Sequence, residues 1–192
     1  YVQRVPVAGA LFLDIAGRDL GPADVARIQT FVDREFPPDR PTRRAAPRLA
    51  ALLSPARVIA DLSCAGLDDL IELAAARLAA DAPAARSLAA RIDERERDAS
   101  SALGSGVIVP HAQLRGAATA AVLVSLARPL RLPTPDGVPV AVAVVLVSGE
   151  PPREHLELLA RIARLARRGL AAELKGLRSP DRLLARLTAL DS

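Results

Sequence analysis

The two histidines of the chain are the residues best suited to reversible group-transfer chemistry. His111 follows a short β-branched run, Val107–Val109, and comes directly after Pro110. Proline fixes its own backbone and keeps the preceding residue extended, so the imidazole of His111 stands on a rigid mount at a strand end. A neutral imidazole can accept a group near pH 7 and release it again. Taken alone, such a histidine is more often a structural hydrogen-bonding residue.

Further polar residues stand on both sides of this histidine. Arg95 and Glu96 precede it, and Ser101 lies between them and the turn Gly104–Gly106. His155 follows at the start of a predicted helix, behind a proline-rich loop. Glu96 is equally compatible with a surface helix carboxylate and with a residue that orients Arg95 or a histidine. The pattern therefore indicates one shared pocket, provided that the fold brings these elements together.

Hydrophobic periodicity predicts the elements that would position these residues. The predicted strands are Arg57–Leu62, Val107–Val109, Ala117–Leu126, Leu130–Leu132 and Val138–Val147. The predicted helices are Leu67–Ala80, Ala84–Arg97, His155–Leu170 and Ser179–Leu190, and the segment Ser100–Gly106 is predicted as a loop. Strands separated by helices favour a layered α/β domain, which we expect to be a mixed parallel and antiparallel sheet of about five strands flanked by helices.

The amino-terminal quarter of the chain has a different character. Residues 1–36 predict a strand and a helix, which form either an extension or the end of an upstream domain. Residues 37–48 hold four prolines and four arginines, a composition typical of a linker. We therefore expect residues 49–192 to form the main domain. The apolar faces of the helix within residues 19–36 and of the last helix are compatible with a homodimer or with a core.

Composition excludes several classes of protein. The net charge is +4, but 22 acidic residues are interleaved with 26 basic ones and aromatic residues make up 2%. This mixed surface, poor in stacking side chains, does not favour nucleic-acid binding. One cysteine, Cys64, and two histidines leave little basis for a metal site, and we expect no cofactor. No apolar run reaches the ~20 residues needed to cross a bilayer, so the cytoplasm is the expected location.

Residues from about Leu52 to Leu190 resemble an enzyme IIA domain of the fructose/mannitol class, which includes the nitrogen-regulatory IIA proteins. This class belongs to the bacterial phosphoenolpyruvate-dependent phosphotransferase system. The matching motifs are Arg95-Glu96-x4-Ser101-x2-Gly104-x-Gly106, Pro110-His111, Asp136-Gly137-x-Pro139 and His155-Leu156. Their order and spacing make the resemblance specific, and it implies the mixed IIA mannitol/fructose-type sheet.

The resemblance also implies roles for the motif residues. His111 would accept a phosphoryl group from phospho-HPr and pass it to a cysteine of a IIB domain. His155 would lie beside His111, and Arg95 would line the same pocket. The residues expected to support the phosphate or the site are Glu96, Ser101, Gly104, Gly106 and Pro110.

The chemistry of these residue types agrees with the implied roles. Phosphoryl transfer requires positioning and neutralisation of charge on the phosphoryl oxygens, and an arginine fork fits that geometry. His155 can donate a hydrogen bond to the transferred group. Backbone N–H groups near Gly104 and Gly106, or in the first turn of the His155 helix, can add further donors.

Two positions depart from the family pattern. Ser101 stands where threonine is usual and keeps the hydroxyl, while Ile108 stands where alanine is common.

Two other functions stay open. The alternative function is a regulatory or sensor domain, fused to or associated with a membrane transporter or a transcription regulator. Such a domain would be controlled by phosphorylation of His111 or by a small ligand, and a segment upstream of Tyr1 would tether it to the membrane in the transporter case. A domain that kept the fold and lost phosphotransfer is less favoured, because both histidines and Arg95 are present.

Overall fold

The computed structural model describes residues 48–149 and 152–191. The predicted amino-terminal strand and helix, and nearly all of the predicted linker, lie outside these residues. The strands are β1 (Val58–Leu62), β2 (Ala102–Gly104), β3 (Val107–Ile108), β4 (His111–Gln113), β5 (Ala120–Leu130) and β6 (Val140–Ser148). The helices are α1 (Leu67–Leu78), α2 (Ala82–Asp98), α3 (Pro152–Arg167), α4 (Leu170–Leu174) and α5 (Pro180–Leu190), and short 3₁₀ turns at Leu49–Leu52 and Pro55–Arg57 precede β1.

The strands form one mixed sheet in the order β1-β5-β6-β3-β2, with β4 also paired to β6. Strands β5 and β6 form an antiparallel ladder at the centre. Strand β1 runs parallel to β5, and both β3 and β4 run parallel to β6. The predicted fold class, a mixed sheet flanked by helices, is therefore confirmed.

Alternation along the central strand explains why helices cover both faces of the sheet. Val142, Val144 and Leu146 of β6 pack with apolar residues of α3, α4 and α5. The intervening Ala143 and Val145 pack with α1 and α2 on the other face. Because both faces are buried, β6 reads as a continuous apolar run, as expected of an internal strand.

Strand β3 ends before Pro110, as predicted, but a further strand that was not predicted, β4, begins directly after it. Val107 pairs with Val142 and His111 pairs with Leu146, so the two short strands keep one register along β6. Proline lacks only the N–H donor, and its carbonyl still accepts the N–H of Leu146 at 3.0 Å. His111 is therefore the first residue of a further strand of the same sheet.

Three other predicted boundaries differ from the structure. The predicted loop Ser100–Gly106 contains β2. Of the predicted strand Leu130–Leu132, only Leu130 lies in a strand, as the last residue of β5. The predicted helix His155–Leu170 begins at Pro152, because proline is tolerated in the first helical turn, and it stops at Arg167. Gly169 then adopts a left-handed conformation with φ 86° and begins the separate helix α4. Within the described residues, no helix has the length and hydropathy required of a membrane-spanning segment.

Candidate functional site

The two histidines meet at the carboxyl end of β6. His111 pairs with Leu146 near this end, and β6 then leads through a short connection into α3. His155 lies in the first turn of α3 and therefore returns over the same end of the sheet. The two ring centroids are 5.1 Å apart, and the ring planes are inclined by 47°.

His111 has a defined orientation and protonation pattern. Its Nδ1 lies 2.7 Å from the carbonyl oxygen of Val109. A carbonyl oxygen only accepts, so Nδ1 carries the proton and the neutral ring keeps its lone pair on Nε2. The residue is 9% exposed, and burial lowers the pKa of His111 below the ordinary histidine value. The hydrogen bond to Val109 acts in the opposite direction, and the charge of Arg95 adds to the lowering.

His155 is held by a second buried hydrogen bond. Its Nδ1 lies 2.7 Å from the hydroxyl oxygen of Ser148, the last residue of β6. Burial, followed by the charges of His111 and Arg95, lowers the pKa of His155 to about 4. His155 is therefore neutral at pH 7, and a neutral ring can act through Nε2 as either donor or acceptor.

Both rings line one open cavity of about 360 Å³. The last two turns of α2 also line this cavity. Its described lining residues are Arg91, Glu94, Arg95, Asp98, His111, Ala112, Gln113, Leu114 and His155. Beside the two imidazoles the lining carries two guanidinium groups and two carboxylates. The guanidinium groups are suited to bind phosphoryl oxygens.

Arg95 reaches this cavity from the carboxyl end of α2. Its Nη1 donates to the carbonyl oxygen of Ala99 at 2.9 Å, which holds the guanidinium group near the helix end. Its charge lowers the pKa values of both His111 and His155, so the electrostatic coupling among the three residues is direct. The structure thus brings together the three residues predicted to carry the chemistry.

Glu96 and Ser101 lie beside the cavity rather than on its described wall. The Glu96 carboxylate accepts the backbone N–H of Ser101 at 2.9 Å and its hydroxyl at 2.5 Å. The carbonyl oxygen of Ser101 in turn accepts the N–H of Val109 at 3.2 Å. Both residues therefore support the backbone that carries His111.

The glycine turn lies at the opposite end of the strand from His111. His111 follows Gly106 by five positions, and a strand rises about 3.3 Å per residue, so roughly 16 Å separates them. The carboxylate of Asp136 accepts the N–H of Ser105 at 2.6 Å and that of Val138 at 3.1 Å. The Asp-Gly-x-Pro motif is thus tied to the glycine turn, away from the cavity.

Sequence reasoning missed several residues of the site. Arg91 lies one helical turn before Arg95, so the predicted helix Ala84–Arg97 already placed the two arginines on one face. Ser148 and Gln113 carried no sequence signal, because only the pairing of β4 with β6 brings them to the histidines. In the part of the chain that the structure describes, no cluster of three or more potential ligands could hold a metal ion.

Sequence comparison agrees with the mixed sheet flanked by helices, which is the fold of a IIA-type domain. The model of the family described as phosphoenolpyruvate-dependent sugar phosphotransferase system, EIIA 2, matches residues 51–189. The chain belongs to this family, and the resemblance inferred from its motifs is confirmed. A comparison with curated proteins gave no match.

Solved structures show the same fold at low sequence identity. The nitrogen regulatory protein IIA-Ntr from Neisseria meningitidis is 24% identical, with a TM-score of 0.66 over 72% of this chain and 98% of its own. The IIA mannitol protein of Escherichia coli is 16% identical, with a TM-score of 0.59 over 70% and 98% of the two chains. A complex of the Escherichia coli enzyme IIA for mannitol with phosphorylated enzyme IIB matches at 15% identity, with a TM-score of 0.58 over 71% and 97%.

Proposed function

We propose that this domain is a histidine phosphocarrier of the phosphoenolpyruvate-dependent phosphotransferase system. It would accept a phosphoryl group on Nε2 of His111 from an HPr-like donor and pass it to a cysteine of a IIB domain. The observation that carries the proposal is the state of His111, whose Nδ1 is occupied by the Val109 carbonyl. The remaining Nε2 lone pair belongs to a ring that lines the cavity shared with Arg95 and His155.

The proposed transfer conserves atoms and charge without an added cofactor. Nε2 of His111 attacks the phosphorus of the donor phosphohistidine, the donor N–P bond breaks, and its electron pair returns to the donor imidazole. The Nδ1 proton of His111 stays in place and shares the resulting positive charge with the Val109 carbonyl. In the second step a IIB thiolate attacks phosphorus, the Nε2–P bond breaks, and neutral His111 is regenerated.

The neighbouring groups fit the charge that this reaction develops. Arg95 supplies a guanidinium fork for the phosphoryl oxygens, and α3 begins with its positive end beside them. If the Ser148 hydroxyl donates to Nδ1 of His155, the remaining Nε2–H of His155 is free to donate to phosphate. A neutral second imidazole also avoids placing another fixed charge next to His111 before phosphate arrives.

A phosphorylation assay tests this proposal. The full chain would be incubated with phosphoenolpyruvate, enzyme I and HPr, and the modified residue located by peptide mass mapping. We expect one phosphoryl group on His111 and none in the His111→Ala variant. The Cys64→Ser variant is the control for a thiol acceptor and should be labelled at the wild-type rate. Full labelling of folded His111→Ala would overturn the assignment.

A regulatory role is the second candidate. It is favoured by the likeness to a nitrogen regulatory IIA protein, which has the higher TM-score of the two free IIA structures compared above. In this case His111 would be phosphorylated, and the phosphorylated state would act on a partner instead of a IIB cysteine. The two roles separate when phosphorylated protein is mixed with IIB domains. Transfer to cysteine supports the carrier, whereas retention on His111 with every IIB domain supports regulation.

A further inference from the structure

An unbroken series of hydrogen bonds joins a carboxylate on α2 to the imidazole of His111. Glu96 accepts the N–H and the hydroxyl of Ser101, at 2.9 Å and 2.5 Å. Ser101 accepts the N–H of Val109 at 3.2 Å, and Val109 accepts the Nδ1 proton of His111 at 2.7 Å. We call this series the Glu96–His111 chain.

The position of Glu96 is unfavourable for the helix alone. Glu96 lies in the last turn of α2, which ends at Asp98, where the helix dipole favours cations. Glu96 is half-buried, and its carboxylate accepts two hydrogen bonds from Ser101, beyond the helix end. Glu96 thus goes against the preference for cations at the end of a helix and gains two hydrogen bonds to Ser101 instead. Residues that go against a local preference are typical of functional sites.

The Glu96–His111 chain acts on the Val109 carbonyl oxygen, the atom that accepts the Nδ1 proton of His111. The carbonyl of Val109 precedes Pro110, so its direction depends on the Val109 backbone and on the rigid proline ring. The N–H of Val109 is fixed by Ser101, and Ser101 is fixed by Glu96. Moving the Ser101 loop would therefore rotate the carbonyl that selects the tautomer of His111.

We propose that Glu96 is a positioning residue for phosphoryl transfer, acting through Ser101 and Val109 to keep the proton of His111 on Nδ1 and the lone pair on Nε2. This inference rests on the proposed function, because it assigns Glu96 a task in that reaction. It assigns no contact between Glu96 and the phosphoryl group. The charge of Glu96 also favours the imidazolium form of His111, as phosphorylation of Nε2 requires.

The test compares four variants by two measurements. Nitrogen-15 NMR of the imidazoles reports the fraction of His111 protonated on Nδ1, and quench-flow labelling with phospho-HPr reports the rate of phosphoryl uptake. The variants are Glu96→Gln, Ser101→Ala, Ser101→Thr and, as a matched surface control on α1, Glu72→Gln.

We expect Glu96→Gln to lower the Nδ1-protonated fraction of His111 and to slow uptake about tenfold, since small misplacements of a reacting group cost rate steeply. Ser101→Ala loses only the hydroxyl bond, so its effect should be smaller and in the same direction. Ser101→Thr keeps the hydroxyl and should retain both wild-type properties. Glu72→Gln should change neither.

The proposal is overturned if folded Glu96→Gln keeps the wild-type tautomer and rate. If Glu96→Gln does not fold, the test is the comparison of Ser101→Ala with Ser101→Thr. Identical tautomer populations of His111 in these two variants overturn the proposal. The tautomer measurement needs no phosphoryl donor. A failure of the carrier function, seen as absent labelling of wild-type protein, is therefore distinguishable from a failure of the Glu96–His111 chain.

Discussion

The amino and carboxyl ends of strands β3–β4 and β6 are built from motifs that stand close together in the sequence. The two ends use their polar side chains differently. At the carboxyl end, His111 and His155 each use one ring nitrogen for a buried hydrogen bond. At the amino end, the Asp136 carboxylate accepts the N–H of Ser105 in the glycine turn and the N–H of Val138 in its own turn. At the first end the two rings, each held through Nδ1, line a cavity. At the second end the Asp136 carboxylate holds two turns together.

Motif residues that are close in sequence therefore need not belong to one site, since the glycine turn lies away from the cavity that the histidines line. Gly104 has φ +80°, and a Cβ built there would lie 2.9 Å from Oδ2 of Asp136. The glycine is thus required by a left-handed backbone and by a close carboxylate. The contacts of this turn with Asp136 explain its glycine without any bound phosphate.

The largest effect is expected from a charge at the histidine end. Arg95→Ala should slow phosphoryl uptake about 100-fold, because removing a donor to a charged transition state typically costs that much. The melting temperature should stay near the wild-type value, since Arg95 is exposed. Rapid-quench kinetics with phospho-HPr would measure the rate.

Arg97→Ala is the matched control for this variant. Arg97 lies on the same final turn of α2, is also exposed and does not belong to the described cavity lining. Its loss should leave the rate within about twofold of wild type. Equal slowing by both variants would mean that general positive charge, rather than the position of Arg95, drives transfer.

The glycine end should give the opposite pattern. Gly104→Ala should lower the free energy of unfolding by about 2 kcal/mol, from the left-handed backbone and the contact with Asp136. The uptake rate of the folded fraction should not change. Urea unfolding and the same kinetic assay would measure the two quantities.

Gly116→Ala separates the two causes of that loss. Gly116 has a similar φ of +76°, but a Cβ there would meet nothing within 4 Å. It should therefore show the backbone cost alone. If Gly104→Ala were no less stable than Gly116→Ala, the contact with Asp136 would have no energetic weight.

The smallest effect concerns acid stability of the histidine end. Folding lowers the pKa of His155 to about 4. Between pH 6.5 and 4, His155 is therefore protonated in the unfolded chain and neutral in the folded chain. Stability should therefore fall as the pH falls through this window, by about 1 kcal/mol between pH 6.5 and 5.5 from this residue. His111, whose pKa is also lowered, adds a loss of the same sign.

Urea unfolding at stepwise pH would measure this slope in wild type and in His155→Gln. The variant lacks the titrating group, so its slope between pH 6.5 and 5.5 should be shallower. An unchanged slope would show that His155 titrates alike in the folded and unfolded chains.

Much of the fold was predictable from local patterns. The strand at Val138–Val147 and the helices beginning near Leu67 and Pro180 follow from apolar periodicity and proline placement. The extra strands β2 and β4 were not predictable, because they are three residues long and owe their existence to pairing with β3 and β6.

The candidate site was predictable only in part. His111, His155 and Arg95 have motif signals, and the structure brings them together. Ser148 has none, since an ordinary serine at a strand end becomes informative only when a helix returns over it. The role of Glu96 was open in the sequence, because its hydrogen bonds to Ser101 depend on how the chain turns after α2.

The position of the phosphoryl group on the imidazole tests the central claim most directly. Protein labelled with nitrogen-15 at histidine would be phosphorylated by phospho-HPr, and the phosphorus–nitrogen coupling would identify the bonded atom. The account predicts a bond to Nε2 of His111, with Nδ1 still protonated against the Val109 carbonyl. A phosphoryl group on Nδ1 of His111, or on His155, would contradict it.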